Sequence, residues 1–366
     1  MFDAGRTGTW TVRFQRGRTT LQRGRVGGAA STIHADPRTM LDVIEGRTSG
    51  AEAFLSSRLS LRGNLALPLE LDDLLHGNAR DARAPRVRRV LAAGVRTFYL
   101  EAGPADATPV LLLHGLGATS ASFLPTMHDL APDHRVIAVD LPGFGESDKP
   151  VRPLRPAFFA QHVASVLDAL RIDRAHLVGN SMGGRIALEV ALRTPDRVDR
   201  LALLCPSMAW RRFRFATGLV RLLRHELAVL PLPLVRGVVV LVLRSLFAHA
   251  DRVPKNGIDA AADEFMRVFS SARGRVAFFN AAREIYLEEP LGERGFWERL
   301  PRLARPALFL FGEKDLLVPR AFARFVEEAV PRARCEIFED CGHVPQFELP
   351  ARTHALVRAF FAERGR

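Results

Sequence analysis

The sequence predicts an α/β protein: a mostly parallel sheet covered on both faces by helices and carrying a helical cap, preceded by a small α+β unit. Three observations carry this. Short apolar runs at 109–113, 135–140, 198–206 and 307–311 are the mark of strands buried on both faces. They alternate with helical patterns such as 158–170 and 320–329, as a parallel sheet requires. Between them, Leu177-Val-Gly-Asn-Ser181-Met-Gly-Gly184 turns an apolar strand into an apolar-periodic helix, through a turn so tight that only small residues fit beside the serine.

In chain order, residues 1–80 form the smaller unit. Alternating segments at 9–15 and 19–22 meet around Arg16-Gly17, Asp36-Pro37 starts a helix over 40–45, a second helical stretch covers 51–55, and Arg58-Leu-Ser-Leu-Arg-Gly63-Asn-Leu-Ala-Leu follows. The phrases Trp10-Thr-Val, Asp36-Pro-Arg-Thr-Met-Leu and Leu59-Ser-Leu-Arg-Gly-Asn-Leu-Ala-Leu resemble the later part of a sterol-carrier-protein-2-like domain, over residues 2–75. That resemblance implies a lipid-binding module. Residues 77–89, with five Arg against Asp81 and with Pro85 among them, read as a linker. No charged-then-apolar leader opens the chain, and the expectation is a cytoplasmic protein.

The larger domain is expected over 81–366. Runs near 87–91 and 97–101, joined by Ala93-Gly94, pair antiparallel at the sheet edge. Four motifs then follow in order: His114-Gly-Leu-Gly117, Asp140-Leu-Pro-Gly-Phe-Gly-Glu-Ser147, Gly179-Asn-Ser-Met-Gly183, and Asp315 with Gly342-His-Val-Pro345. Together they resemble the α/β-hydrolase family over residues 85–366. The resemblance implies a serine hydrolase whose nucleophile, acid and base follow one another along the chain.

Serine needs a base to take its proton, and that base needs an orienting carboxylate. Ser181 is the candidate nucleophile. Of the 11 histidines only His343 and His354 lie beyond Asp315. His354 falls inside a helical pattern and reads as packing, which leaves His343, in a loop past a strand, as the base. Asp315 sits one short turn after the strand at 307–311, where a sheet exposes its functional residues, and is preferred to Glu313, its near competitor. Asp340 is too close in sequence to His343 to approach its ring. The oxyanion needs two preorganised donors. One is the backbone N–H of Met182 at a helix N-terminus; the resemblance puts the other at Leu116. His114 and Asp140 read as braces of their loops.

Between 205 and 303 the alternation stops. Helical patterns at 210–224, 232–247, 260–271 and 273–286 make an insert too long for a plain connection, and the resemblance implies a cap over the nucleophile at 207–300. Residues 207–250 carry seven Arg against one acid, Glu226. This fits Arg stems covering an apolar acyl pocket or a face in contact with a membrane surface.

The net charge is +12, with only three lysines. The basic residues are scattered without a binding motif, which argues against nucleic acid. Three Cys without metal-ligand spacing suit a reducing compartment. The reading is a hydrolase of apolar or lipid-like carboxylic esters, acting through an acyl-enzyme with no metal or organic cofactor. Carbon–carbon bond hydrolysis of a ring-cleavage product is the enzymatic alternative, because Gly-Asn-Ser-Met-Gly-Gly is frequent in that subfamily. Against it, Val344 and Leu116-Gly-Ala118 stand where those relatives carry a Trp and a longer Gly-Pro loop. A non-catalytic lipid-binding or transfer protein is the alternative of another class. Residues 1–80 and the basic cap segment are expected to concentrate an apolar substrate near Ser181.

Overall fold

A computed structural model describes all residues except 16–17, 77–81, 211–219, 222–225, 231–233, 294 and 364–366. Two sheets organise them. The small one holds β1 (Phe2–Asp3), β2 (Thr9–Gln15), β3 (Arg18–Arg23), β4 (Ser31–Ala35) and β5 (Leu59–Gly63) in the order β3-β2-β1-β4-β5. Its pairs are antiparallel except β1 beside β4. Its helices are Pro37–Ile44, Gly50–Leu55 and Ala66–His76. Asp36 starts the first of these: its carboxylate accepts the N–H groups of Arg38 and Thr39, with Pro37 in the first turn.

The large sheet holds β6 (Arg86–Ala92), β7 (Val95–Ala102), β8 (Pro109–Leu113), β9 (Arg135–Val139), β10 (Ala175–Asn180), β11 (Val198–Leu204), β12 (Ala307–Gly312) and β13 (Arg334–Phe338). Their order is β13-β12-β11-β10-β8-β9-β7-β6, parallel from β13 to β9 and antiparallel at β7 and β6. The β6–β7 hairpin turns on Ala93 and Gly94 at φ 47° and 78°, the paired positive values that match the right-handed twist of a hairpin. The linker therefore ends earlier than the sequence reading placed it, because 86–89 are strand. Val87 enters the core while Arg88 pairs with Asp73 and Glu101, so an Arg-rich stretch is a sheet edge here. From β9 the chain crosses over β8 to form β10. In such sheets ligands sit at the carboxyl ends of the strands beside this reversal.

The cap lies between β11 and β12. Its described helices include Arg236–Arg244, Lys255–Ser270 and Ala272–Tyr286. The helix expected over 210–224 falls largely outside the described residues. The small unit shares its core with the large sheet: Phe54, Leu61 and Leu69 belong to one buried cluster with Val87, Leu112, Ala260 and Leu310. Polar fastenings join it to the cap. Asn256 Nδ2 donates to the carbonyls of Phe54 (2.9 Å) and Leu59 (3.0 Å), and Asp263 accepts from both Arg62 and Arg236. Among the described residues no helix is long and apolar enough to cross a membrane.

Candidate active site

β10 ends at Asn180 and the helix Met182–Arg193 begins two residues later, leaving Ser181 at φ 53°, ψ −116°. Such a conformation is strained for a side chain and persists where its surroundings over-determine it. Here the Ser181 N–H donates to Leu204 O (3.0 Å), and the Ser181 carbonyl accepts from Arg185 and Ser207. The flanks have room only for glycine: a Cβ on Gly179 would lie 2.4 Å from Gly183 O, and one on Gly183 would lie 1.8 Å from Leu113 O.

Asp315 and His343 come together as the sequence predicts. Asp315 Oδ1 accepts the N–H groups of Leu317 (2.8 Å) and Val318 (2.9 Å), and its Oδ2 lies 2.7 Å from His343 Nδ1. The carboxylate is acceptor-only, so Nδ1 carries the proton and Nε2 is left with its lone pair. Both side chains are buried, and His343 opens with Ser181 onto one cavity. Ser181 Oγ is 3.2 Å from Ser207 Oγ, which lies 3.5 Å from Tyr286 Oη. Glu313 turns to Arg320 (2.9 Å), and Asp340 pairs with Lys314.

Met182 is the first residue of its helix. The 114–117 loop lies against the serine, since a Cβ on Gly115 would sit 3.5 Å from Ser181 Cβ, and Leu116 lines the cavity. His114 braces this loop: Nδ1 donates to Gly115 O (2.8 Å) and Nε2 accepts the Leu141 N–H (3.0 Å). Complete burial pushes its pKa down to about 4, which keeps the ring neutral with one donor and one acceptor. Asp140 accepts from the N–H groups of Ser120 (2.7 Å) and Glu146 (2.8 Å), its carboxyl raised by burial. His354 packs inside, 3.0 Å from Thr126 Oγ1.

Sequence reasoning missed three participants. Asn180 Nδ2 donates to the carbonyls of Leu204 (3.0 Å) and His343 (3.1 Å); its signal was the middle position of Gly-Asn-Ser. Ser207 stood in a segment read only for its lack of a carboxylate. Arg185, fully buried, pairs with Glu189 (2.9 Å) and with Glu288 beyond the cap helices, and lies over the Phe296 ring. It ties the helix after the serine to the end of the cap. Cys205, Asp315 and His343 each bring one ligand atom within 4.8 Å of the others. Burial, with Asp315 beside it, raises the Cys205 thiol well above its usual range.

The cavity measures about 500 Å³ and is walled by aliphatic and aromatic side chains from both sheets and the cap. Side chains of the N-terminal unit, among them Phe54, Leu61 and Leu71, thus sit in its wall. Among the described lining residues the charged ones are Asp72 and Glu264, both acidic.

Residues 108–226 match the alpha/beta hydrolase fold family and residues 3–76 the SCP-2 sterol transfer family. The chain is 32% identical over 285 residues to a 2-hydroxymuconate semialdehyde hydrolase of Pseudomonas sp. (strain CF600), covering 75% of this chain and 94% of that relative. A crystal structure of a meta-cleavage product hydrolase superposes with a TM-score of 0.62 at 27% identity, over 76% of this chain and 98% of that one. A membrane phospholipase A, a bacterial virulence factor, gives a TM-score of 0.65 at 25% identity, over 88% and 96%.

Proposed function

The chain belongs to the alpha/beta hydrolase fold family, and from that premise we propose that it is a serine hydrolase of carboxylic esters with an apolar acyl group. Ser181 Oγ attacks the ester carbonyl while His343 Nε2 takes its proton, and Asp315 holds the ring and the imidazolium that forms. The oxyanion is received by the N–H groups of Leu116 and Met182, where loss of one donor costs about 100-fold or more. Collapse expels the alcohol with a proton from His343. Water, activated by the same ring, then releases the acid.

The observation that carries this reading is the cavity at Ser181, walled by apolar side chains with Asp72 and Glu264 as its charged described residues. Such a wall suits an uncharged, apolar ester. The phospholipase likeness supports it, since that protein is named for lipid ester hydrolysis. The sequence relatives support a second reading, carbon–carbon bond hydrolysis of a ring-cleavage product. Such a product is a carboxylate, and no Lys or Arg stands among the described lining residues to receive it.

Turnover of p-nitrophenyl esters from acetate to palmitate, run beside a 2-hydroxy-6-oxo-dienoate, separates the two. Faster esters uphold the proposal; a dienoate preferred over every ester overturns it. A chain that a fluorophosphonate fails to label at Ser181 is a binding protein.

A further inference from the structure

The wall of the cavity has a feature that neither module shows alone. On one side it contains Ser181, His343 and Leu116; on the other it contains Val43, Leu61 and Leu71 of the N-terminal unit, and it is one continuous space. The two sides belong to a single packed body, because the N-terminal helices and the large sheet share a buried cluster and Arg62, Asp263 and Arg236 bind the unit to two cap helices. Among the exposed lining residues, Ile44 and Leu75 come from the N-terminal unit and Val238 and Val242 from the cap helix Arg236–Arg244. They form its mouth. Near the serine the 114–117 loop is packed against the cap, since a Cβ on Gly117 would lie 2.9–3.0 Å from the Phe265 and Phe278 rings.

We propose that the N-terminal unit and the cap helix together form the outer half of the acyl site, so that the substrate is an ester with a long unbranched acyl chain. The carbonyl sits at Ser181 and the chain runs past Phe265 and Phe278 along Val43, Leu61 and Leu71 toward the mouth. Each methylene moved from water to this apolar wall adds to binding, which makes chain length the quantity the site reads. The proposal rests on the ester reading and adds to it which part of the protein measures the chain.

Val43→Trp and Leu71→Trp, from two different helices, fill the outer half without touching the serine. In the full-length protein, with fluorophosphonate labelling as the check on an intact site, each is expected to lower the palmitate-to-acetate ratio of kcat/KM by roughly tenfold, in the range of pocket discrimination by methylenes. An unchanged ratio in both overturns the proposal. Binding of a fluorescent long-chain alcohol to Ser181→Ala supplies a readout independent of catalysis. If no ester is turned over but the alcohol binds and both tryptophans weaken it, the ester reading fails and the acyl site stands. If esters are hydrolysed while neither the ratio nor the alcohol affinity responds to the tryptophans, the ester reading stands and the acyl site fails.

Discussion

Asn180 Nδ2 donates to the backbone carbonyl of His343 at 3.1 Å, and to that of Leu204 at 3.0 Å. The residue before the serine therefore holds the loop that carries the base, across a sequence separation of 163. Register between serine and imidazole is set by backbone, from one strand end to another. Asn180→Leu leaves the buried His343 carbonyl without its donor, a cost of about 1–3 kcal/mol, while Leu204 O keeps the Ser181 N–H. The same change lowers kcat by about 10- to 100-fold, as a small misplacement of a reacting group does, with little change in KM. Urea unfolding and ester kinetics measure both. A loss of stability with unaltered kcat makes Asn180 a packing residue only.

Ser181→Ala abolishes fluorophosphonate labelling and lowers ester turnover by several orders of magnitude, the outcome expected when one member of a cooperative set is removed. Asp315→Asn is severe as well, because it favours the wrong tautomer of His343. Glu313→Gln is mild, its partner being Arg320. A reversed order of these two variants reassigns the acid.

Leu116 bears on the oxyanion through its amide. Leu116→Ala retains most of the turnover of a short-chain ester, whereas Leu116→Pro deletes the donor and loses roughly 100-fold or more. Equal effects of the two place its role in the side chain.

Burial pushes His114, His162, His176 and His354 each down to about 4. Below about 6.5 the unfolded chain binds protons that the folded chain refuses until about 4. Their contribution to stability is thus complete above that upper limit and is lost as the pH falls through the window, on the order of 3 kcal/mol for each ring at the acid end. The urea midpoint is expected to drop steeply from pH 6.5 to 4, and His354→Gln to flatten that slope. An identical slope in the variant removes His354 as a source.

The parallel sheet with its antiparallel edge and the three residues Ser181, Asp315 and His343 were legible because each leaves a local mark: an apolar run, a glycine pair, a loop just past a strand. Ser207 carries no such mark and Asn180 only its place between Gly179 and Ser181, since their partners lie far along the chain and a hydrogen bond such as that of Asn180 to a carbonyl places no demand on the partner's side chain. Arg185 misled in the other direction. Arginine reads as surface, and only the carboxylates of Glu189 and Glu288, gathered by folding, make its complete burial tolerable. The linker was overdrawn for the same reason, as Arg86 and Arg88 alternate along an edge strand.

Phe54, Leu61 and Leu69 meeting Leu112 and Leu310 in one interior has a thermodynamic consequence. The two sheets have no seam along which to part, so they melt together in a single endotherm, and the stability of either is a property of both. A substitution on the N-terminal side is therefore expected to be felt as a change in the melting of the strand that presents Ser181.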